Sequence, residues 1–198
     1  SASYTNGDGY LASVARRAAR AIMGEPDEFW TMVVLDIRPR ISGLSQAQYT
    51  GNCVTCIPIV SKHGQLAKTD ISPGDLAELC AHSRDSVKSA TPETIAELNH
   101  VCNKCIASYG HAMAKGITTT NKVVVSNQSR FSLYQNDFGS GIPTWVSPIP
   151  VFYANFASIL PVHPSSDGGY NLYLTVEKRV MANILQNNLW NSHVDLVY

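Results

Sequence analysis

The sequence carries no excess of charge of either sign. Its 15 basic and 15 acidic residues cancel, and charged residues make up only 15% of the 198. Without a basic stripe there is no electrostatic footprint for nucleic acid or an anionic membrane, and neither is an expected partner. Glycine (13) and proline (10) are too sparse for a collagen-like or low-complexity chain, and a 44% hydrophobic content excludes disorder. Long apolar runs are missing as well: Pro150 to Val162 is interrupted by Asn155 and Ser158 and falls short of a bilayer span. Five cysteines are an odd number, and the first residues lack the charged, apolar and small-residue regions of a secretory signal, so a reducing, cytoplasmic setting is expected. No Gly-x-Ser-x-Gly elbow, P-loop or Gly-x-Gly-x-x-Gly follows a strand pattern, so the residues by themselves show no assembled catalytic centre.

What is present is apolar periodicity over a length that suits one sizeable core. Asp8 to Met23 reads as an amphipathic helix with Leu11, Val14, Ala15, Ala18 and Ile22 on one face, stopped by Gly24 and Pro26. Thr31 to Ile37 is a continuous apolar run and predicts a buried strand, ended by Arg38-Pro39-Arg40. Cys53 to Val60 predicts another, with Pro58 weakening its far end. Ser72 and Thr91 each read as an N-cap with proline at the first helical position, so two consecutive helices follow. Lys122 to Ser126 predicts a strand, Ser140 to Pro143 a turn, Phe152 to Val162 one or two strands, and Asn171 to Val176 a strand running into a helix over Glu177 to Asn188. The sum is mixed α/β, with helices grouped between strands.

Two Cys-x-x-Cys pairs, Cys53/Cys56 and Cys102/Cys105, have the residue types of a tetrahedral zinc site. Positions three apart on a strand point to opposite faces, however, and the second pair lies in a helical pattern, so no metal is expected. His163-Pro164-Ser165-Ser166-Asp167-Gly168 carries the letters His-x-x-x-Asp-Gly, which in acyl-CoA-type acyltransferases mark a general base and a structural Asp. This segment reads as an exposed hairpin loop, where a solvated imidazole is the ordinary reading. His82, His100 and His111 have no partner spacing that suggests a site. The most informative stretch is Asp137-Phe138-Gly139-Ser140-Gly141-Ile142-Pro143, whose two glycines one residue apart predict a tight turn with positive φ.

At that stretch the chain resembles the C-terminal half of the BAHD acyltransferases, whose hallmark is Asp-Phe-Gly-Trp-Gly-x-Pro. The resemblance is carried in order by Leu35-Asp36-Ile37-Arg38-Pro39-Arg40-Ile41, Tyr49-Thr50-Gly51-Asn52-Cys53, Val123 to Ser126, Phe131 to Tyr134, the hallmark, Ile159-Leu160-Pro161, Gly168-Gly169-Tyr170, Leu174-Thr175-Val176 and Met181-Ala182. It covers Thr5 to about Leu185. It implies an α+β lobe of chloramphenicol-acetyltransferase-like topology, a mixed β-sheet flanked by helices, and it implies that residues 1–198 are the C-terminal lobe of a two-lobed enzyme. The N-terminal lobe, absent from this chain, would be its partner, as a separate chain or a cleaved product, and would bring the catalytic His-x-x-x-Asp.

The reaction implied is transfer of an acyl group from acyl-CoA, a co-substrate rather than a permanently bound cofactor, to a hydroxyl or amine of a secondary metabolite. Within this chain the resemblance assigns structural roles to Asp137, Phe138, Gly139, Gly141 and Pro143, with Arg38, or else Arg40, as the buried ion-pair partner of Asp137. Loss of fold is then expected for Asp137→Ala. Ser140 stands where the family has Trp, and Ile142 where a basic residue is common, departures that fit fungal members better than plant ones. Ser140 and His163 are the catalytic candidates present, while Asn52, Thr5, Asn6 and Ser140 are candidates for the substrate or CoA channel. Two other readings compete: the scaffold reused for a cyclisation or condensation, and a non-catalytic binding subunit whose open face docks another protein. All three imply an exposed apolar face on this chain.

Overall fold

A computed structural model of the chain describes residues 28–43, 49–62, 72–96, 122–149 and 155–196. The expected helix Asp8–Met23, the candidates Thr5 and Asn6, and the pair Cys102/Cys105 lie outside these residues.

The sheet is built on β1 (Glu28–Asp36), in which Phe29, Thr31 and Val33 are buried on one face while Trp30, Met32 and Val34 are half-buried on the other. It starts before the expected Thr31, because Phe29 and Trp30 continue the two-residue alternation that a strand needs. A 3-10 turn at Arg38–Arg40, with Pro39 inside it, ends the run as the Arg-Pro-Arg sequence predicts. β2 (Val54–Lys62) pairs antiparallel with β1 from Glu28↔Lys62 to Asp36↔Val54. It runs through Pro58 rather than weakening there, because β2 is an outermost strand among the described residues and tolerates a missing amide.

β3 (Lys122–Asn127) lies parallel to β1, β4 (Phe156–Pro161) parallel to β3, and β5 (Tyr170–Thr175) antiparallel to β4, giving the order β2-β1-β3-β4-β5. The mixed sheet expected from the sequence is the one observed. Its core is Phe29, Val123, Val125, Ala157 and Ile159, with Tyr170, Leu172 and Leu174 against them. Leu172 and Leu174 also meet Val180, Ile184 and Trp190 of α2 (Lys178–Leu185) and α3 (Asn188–Asn191), so the C-terminal helices close one face of β5. The single helix expected over Glu177 to Asn188 is two here. Asn187 ends one and caps the other, its Oδ1 accepting from Trp190 N at 3.0 Å.

Ser72 caps the remaining long helix, α1 (Pro73–Lys88). Its hydroxyl accepts from Asp75 N at 3.2 Å while Asp75 Oδ2 accepts from Ser72 N at 3.0 Å, a closed capping box. Leu79 and Cys80 turn inward, and His82 Nε2 donates to Val60 O of β2 at 2.8 Å. Ser72→Ala is expected to cost about 1 kcal/mol, which lowers the melting temperature by roughly 2–4 °C in a domain of this size. An unchanged melting curve would show that the cap contributes nothing. Thr91 starts the next helix as expected, its Oγ1 accepting from Thr94 N at 3.3 Å, and 92–96 are its described turn. Among the described residues no helix is long and apolar enough to cross a membrane.

Candidate active site

Because β1, β3 and β4 are parallel, their carboxyl ends lie together with the starts of the antiparallel β2 and β5. The 37–43 turn, residues 49–53, the segment 128–149 and the β4–β5 hairpin 162–169 all leave the sheet at that end. Arg38, Arg40, Asn52 and His163 therefore lie at one end of the sheet although they come from distant parts of the sequence, and the contact of Tyr134 with His163 holds the start of the 128–149 segment there.

The segment 128–149 is fastened at its root. Gln128 N prolongs the β3–β4 ladder to Ile159 O at 2.8 Å, and Asn127 Oδ1 accepts from the backbone and hydroxyl of Ser129. A 3-10 turn at Leu133–Gln135 then buries Tyr134, whose hydroxyl has no hydrogen-bond partner among the described residues. Next comes the hallmark. Asp137 Oδ1 accepts from Gly139 N at 2.7 Å and from Gly141 N at 3.0 Å. Gly139 (φ +98°) and Gly141 (φ +93°) both take backbone conformations that L side chains rarely adopt. The acid and the two glycines thus form one unit: the carboxylate folds back on two amides, and only glycine turns both amides toward it.

The expected ion pair of Asp137 with Arg38 or Arg40 is not made. Arg38 Nη1 instead pairs with Asp36 Oδ2 at 3.1 Å, its backbone N donates to Asp36 Oδ1 at 3.0 Å, and its Nη2 donates to Gly51 O at 3.4 Å. Arg40 Nη1 donates to Ala90 O at 3.3 Å, just past the carboxyl end of α1, where a cation is favourable. The Asp137 carboxylate is taken up by the amides of its own loop, and the Arg38 guanidinium by the carboxylate two residues before it. Asp137 is exposed, so loss of the whole fold on its removal is no longer the expectation; the damage stays within the loop.

His163 is equally constrained. Its Nδ1 lies 3.2 Å from Ser165 N and 2.7 Å from Ser165 Oγ. A backbone N–H can only donate, so Nδ1 is the acceptor and the ring proton sits on Nε2. A general base needs a free acceptor nitrogen, and this one is engaged. The ring stands edge-on to Tyr134, centroids 5.1 Å apart at 85°. Ser140 is exposed between the two glycines, and among the described residues no hydrogen bond joins it to an imidazole. Asn52 is exposed beside Cys53, whose carbonyl accepts from Ile37 N at 2.9 Å.

Cys53 is buried with Ile37 and Ile95, just before β2 rather than on it, and Cys56 is half-buried within the strand. Burial pushes the Cys56 thiol up from its ordinary value. Cys53 and Cys56 are free thiols. Among the described residues no three His, Cys, Asp or Glu side chains gather as a metal site.

Apolar side chains without cover mark the same segment. Phe138 is 91% and Ile149 86% exposed, and Phe131, Ile142 and Trp145 are each more than half uncovered or close to it. Exposed apolar side chains of this kind are what a binding or contact surface offers.

Comparison with known proteins places the chain. A model of the Transferase family matches residues 9–189. The chain belongs to the Transferase family, the BAHD-type acyltransferases. Among solved structures, vinorine synthase superposes with a TM-score of 0.70 at 16% identity, covering 92% of this chain and 41% of that one. F. graminearum TRI101 complexed with coenzyme A and deoxynivalenol gives 0.68 at 18% identity, covering 96% and 42%. F. sporotrichioides TRI101 complexed with coenzyme A and T-2 gives 0.65 at 16%, covering 96% and 45%. At such identities the likeness establishes the fold, and the chain spans less than half the length of these structures. No curated protein matches it by sequence.

Within this Transferase-family fold the sequence reading missed two residues. Asp36 was visible as an acid two positions from Arg38. Tyr173 was not: its hydroxyl donates to Val146 O, 27 residues away, at 3.2 Å, and no local pattern announces that. Burial pushes the Tyr173 hydroxyl up from its ordinary value, the neighbouring Tyr134 phenol adds to this, and a hydrogen bond from the Trp145 side chain opposes it.

Proposed function

We propose that this chain is the C-terminal lobe of a cytoplasmic, acyl-CoA-dependent acyltransferase of fungal secondary metabolism, acting on a hydroxyl or amine of a small molecule. The observation that carries the reading is the family match over 9–189 combined with a hallmark loop that sits at an open, apolar end of the sheet. Free thiols at Cys53 and Cys56 agree with a reducing compartment.

In this reading the described residues bind and shape, and a base comes from elsewhere. An imidazole on the N-terminal lobe takes the proton of the acceptor, whose oxygen or nitrogen attacks the thioester carbonyl. The tetrahedral intermediate then collapses, the C–S bond breaks, and the proton passes to the departing CoA sulfur. Ser140, held exposed by the Asp137 turn, offers a hydroxyl donor at the rim of that site. The exposed side chains from Phe131 to Ile149 are the surface that the other lobe covers.

The test is release of CoA thiol from acetyl-CoA, with a panel of alcohols and amines, by the full-length gene product and by residues 1–198 alone. Turnover by the full product and none by the 198-residue chain is expected. Turnover by the chain alone would overturn the missing base. Absence of both turnover and calorimetric CoA binding in the full product would overturn acyl transfer and favour a scaffold used for another reaction.

A further inference from the structure

The hallmark loop is flanked by two contacts, one through a buried ring and one through a backbone carbonyl, and both reach the same hairpin. Before the loop, Tyr134 is buried and its ring meets His163 edge-on. After the loop, Val146 O accepts from the hydroxyl of Tyr173 on β5 at 3.2 Å. His163 begins the β4–β5 hairpin and Tyr173 lies on its returning strand, paired with Ser158 in the register. His163 is itself locked by Ser165, so the imidazole cannot turn away without losing two contacts.

We propose that the β4–β5 hairpin is a clasp that positions the 137–143 loop from both ends, with Tyr173 and His163 as its positioning residues. Neither need touch substrate. Each acts through a residue flanking the loop: Tyr173 through the 145–146 backbone, His163 through Tyr134. The two arms make different interactions, one a directional hydrogen bond to a carbonyl and the other a ring contact, so they are separable by substitution. This accounts for the His-x-x-x-Asp letters at 163–167 without a catalytic role. Its bearing on turnover rests on the acyl-transfer reading; its bearing on loop order does not.

The experiment is hydrogen exchange on the full-length protein, comparing Tyr173→Phe with the unaltered protein. Loss of one hydrogen bond predicts roughly threefold to tenfold faster exchange across 138–146, with the β3 and β4 amides unchanged. His163→Ala, which removes the ring contact of the other arm with Tyr134, is expected to speed exchange in the same peptides and supplies the measurement if Tyr173→Phe does not fold. Exchange that is unaltered, or raised uniformly over the sheet, would overturn the clasp. In acyl-CoA turnover the selective variant is expected to lose kcat with KM for the thioester unchanged, the split that a general loss of folded protein does not produce. Selective exchange in a protein without thioester turnover would leave the clasp standing and remove only the functional reading.

Discussion

Phe29→Ala is expected to remove about 3–5 kcal/mol of stability, the largest effect of any single substitution considered for this chain. Phe29 is 0% exposed on β1, between the antiparallel β2 and the parallel β3, and it touches the Val123, Val125, Ala157 and Ile159 cluster. The cavity left by a benzyl group cannot collapse there, because the neighbours are β-branched or small side chains held in ladders on both sides. Domains have about 5–15 kcal/mol in total, so the variant loses much of its margin and accumulates as insoluble protein at growth temperature. Urea unfolding measures it. A loss under about 1 kcal/mol would mean that β1 is not the centre of the core.

Alanine at Gly139 or Gly141 is expected to act differently. Each forces an L side chain into a φ of +98° or +93°, at a cost of about 1–2 kcal/mol apiece. Nothing lies within 4 Å of an added Cβ at either position, so the penalty is purely conformational. The loop relieves it by opening, and the amides of 139 and 141 are released from Asp137 Oδ1. Faster exchange at those two amides is therefore expected, while the main unfolding transition moves by only a few degrees. Asp137→Ala withdraws the shared acceptor and produces the same local pattern at about 1 kcal/mol. A drop in melting temperature as large as that of Phe29→Ala would show that the loop is part of the core after all.

These two predictions mark how far the sequence could be read. Val123 to Ser126 and Asn171 to Val176 were legible as strands because β-branched and aromatic residues cluster there between turn residues. Ser72 and Thr91 were legible as helix starts because hydroxyl and proline act within one turn of themselves. Partners that depend on the fold were not legible. Asp137 offered no sign that its ligands would be the amides two and four residues on, because that choice depends on the backbone of Gly139 and Gly141. The 27-residue contact of Tyr173 exists only once β5 has paired with β4. The break between α2 and α3 shows the same thing on a small scale: Asn187 can continue a helix or cap one, and the burial of Trp190 beside Val180 and Ile184 accompanies the cap.

One residue of the outermost strand has a consequence for life in a crowded cell. Pro58 stands exposed in the middle of β2, in register with Met32 of β1. An edge that is nine residues long, flat and apolar would invite a neighbouring molecule to stack onto it and seed fibrils; a ring without an amide proton interrupts that template at its midpoint. The same proline that made the strand hard to read from its letters thus serves as a gatekeeper against self-association.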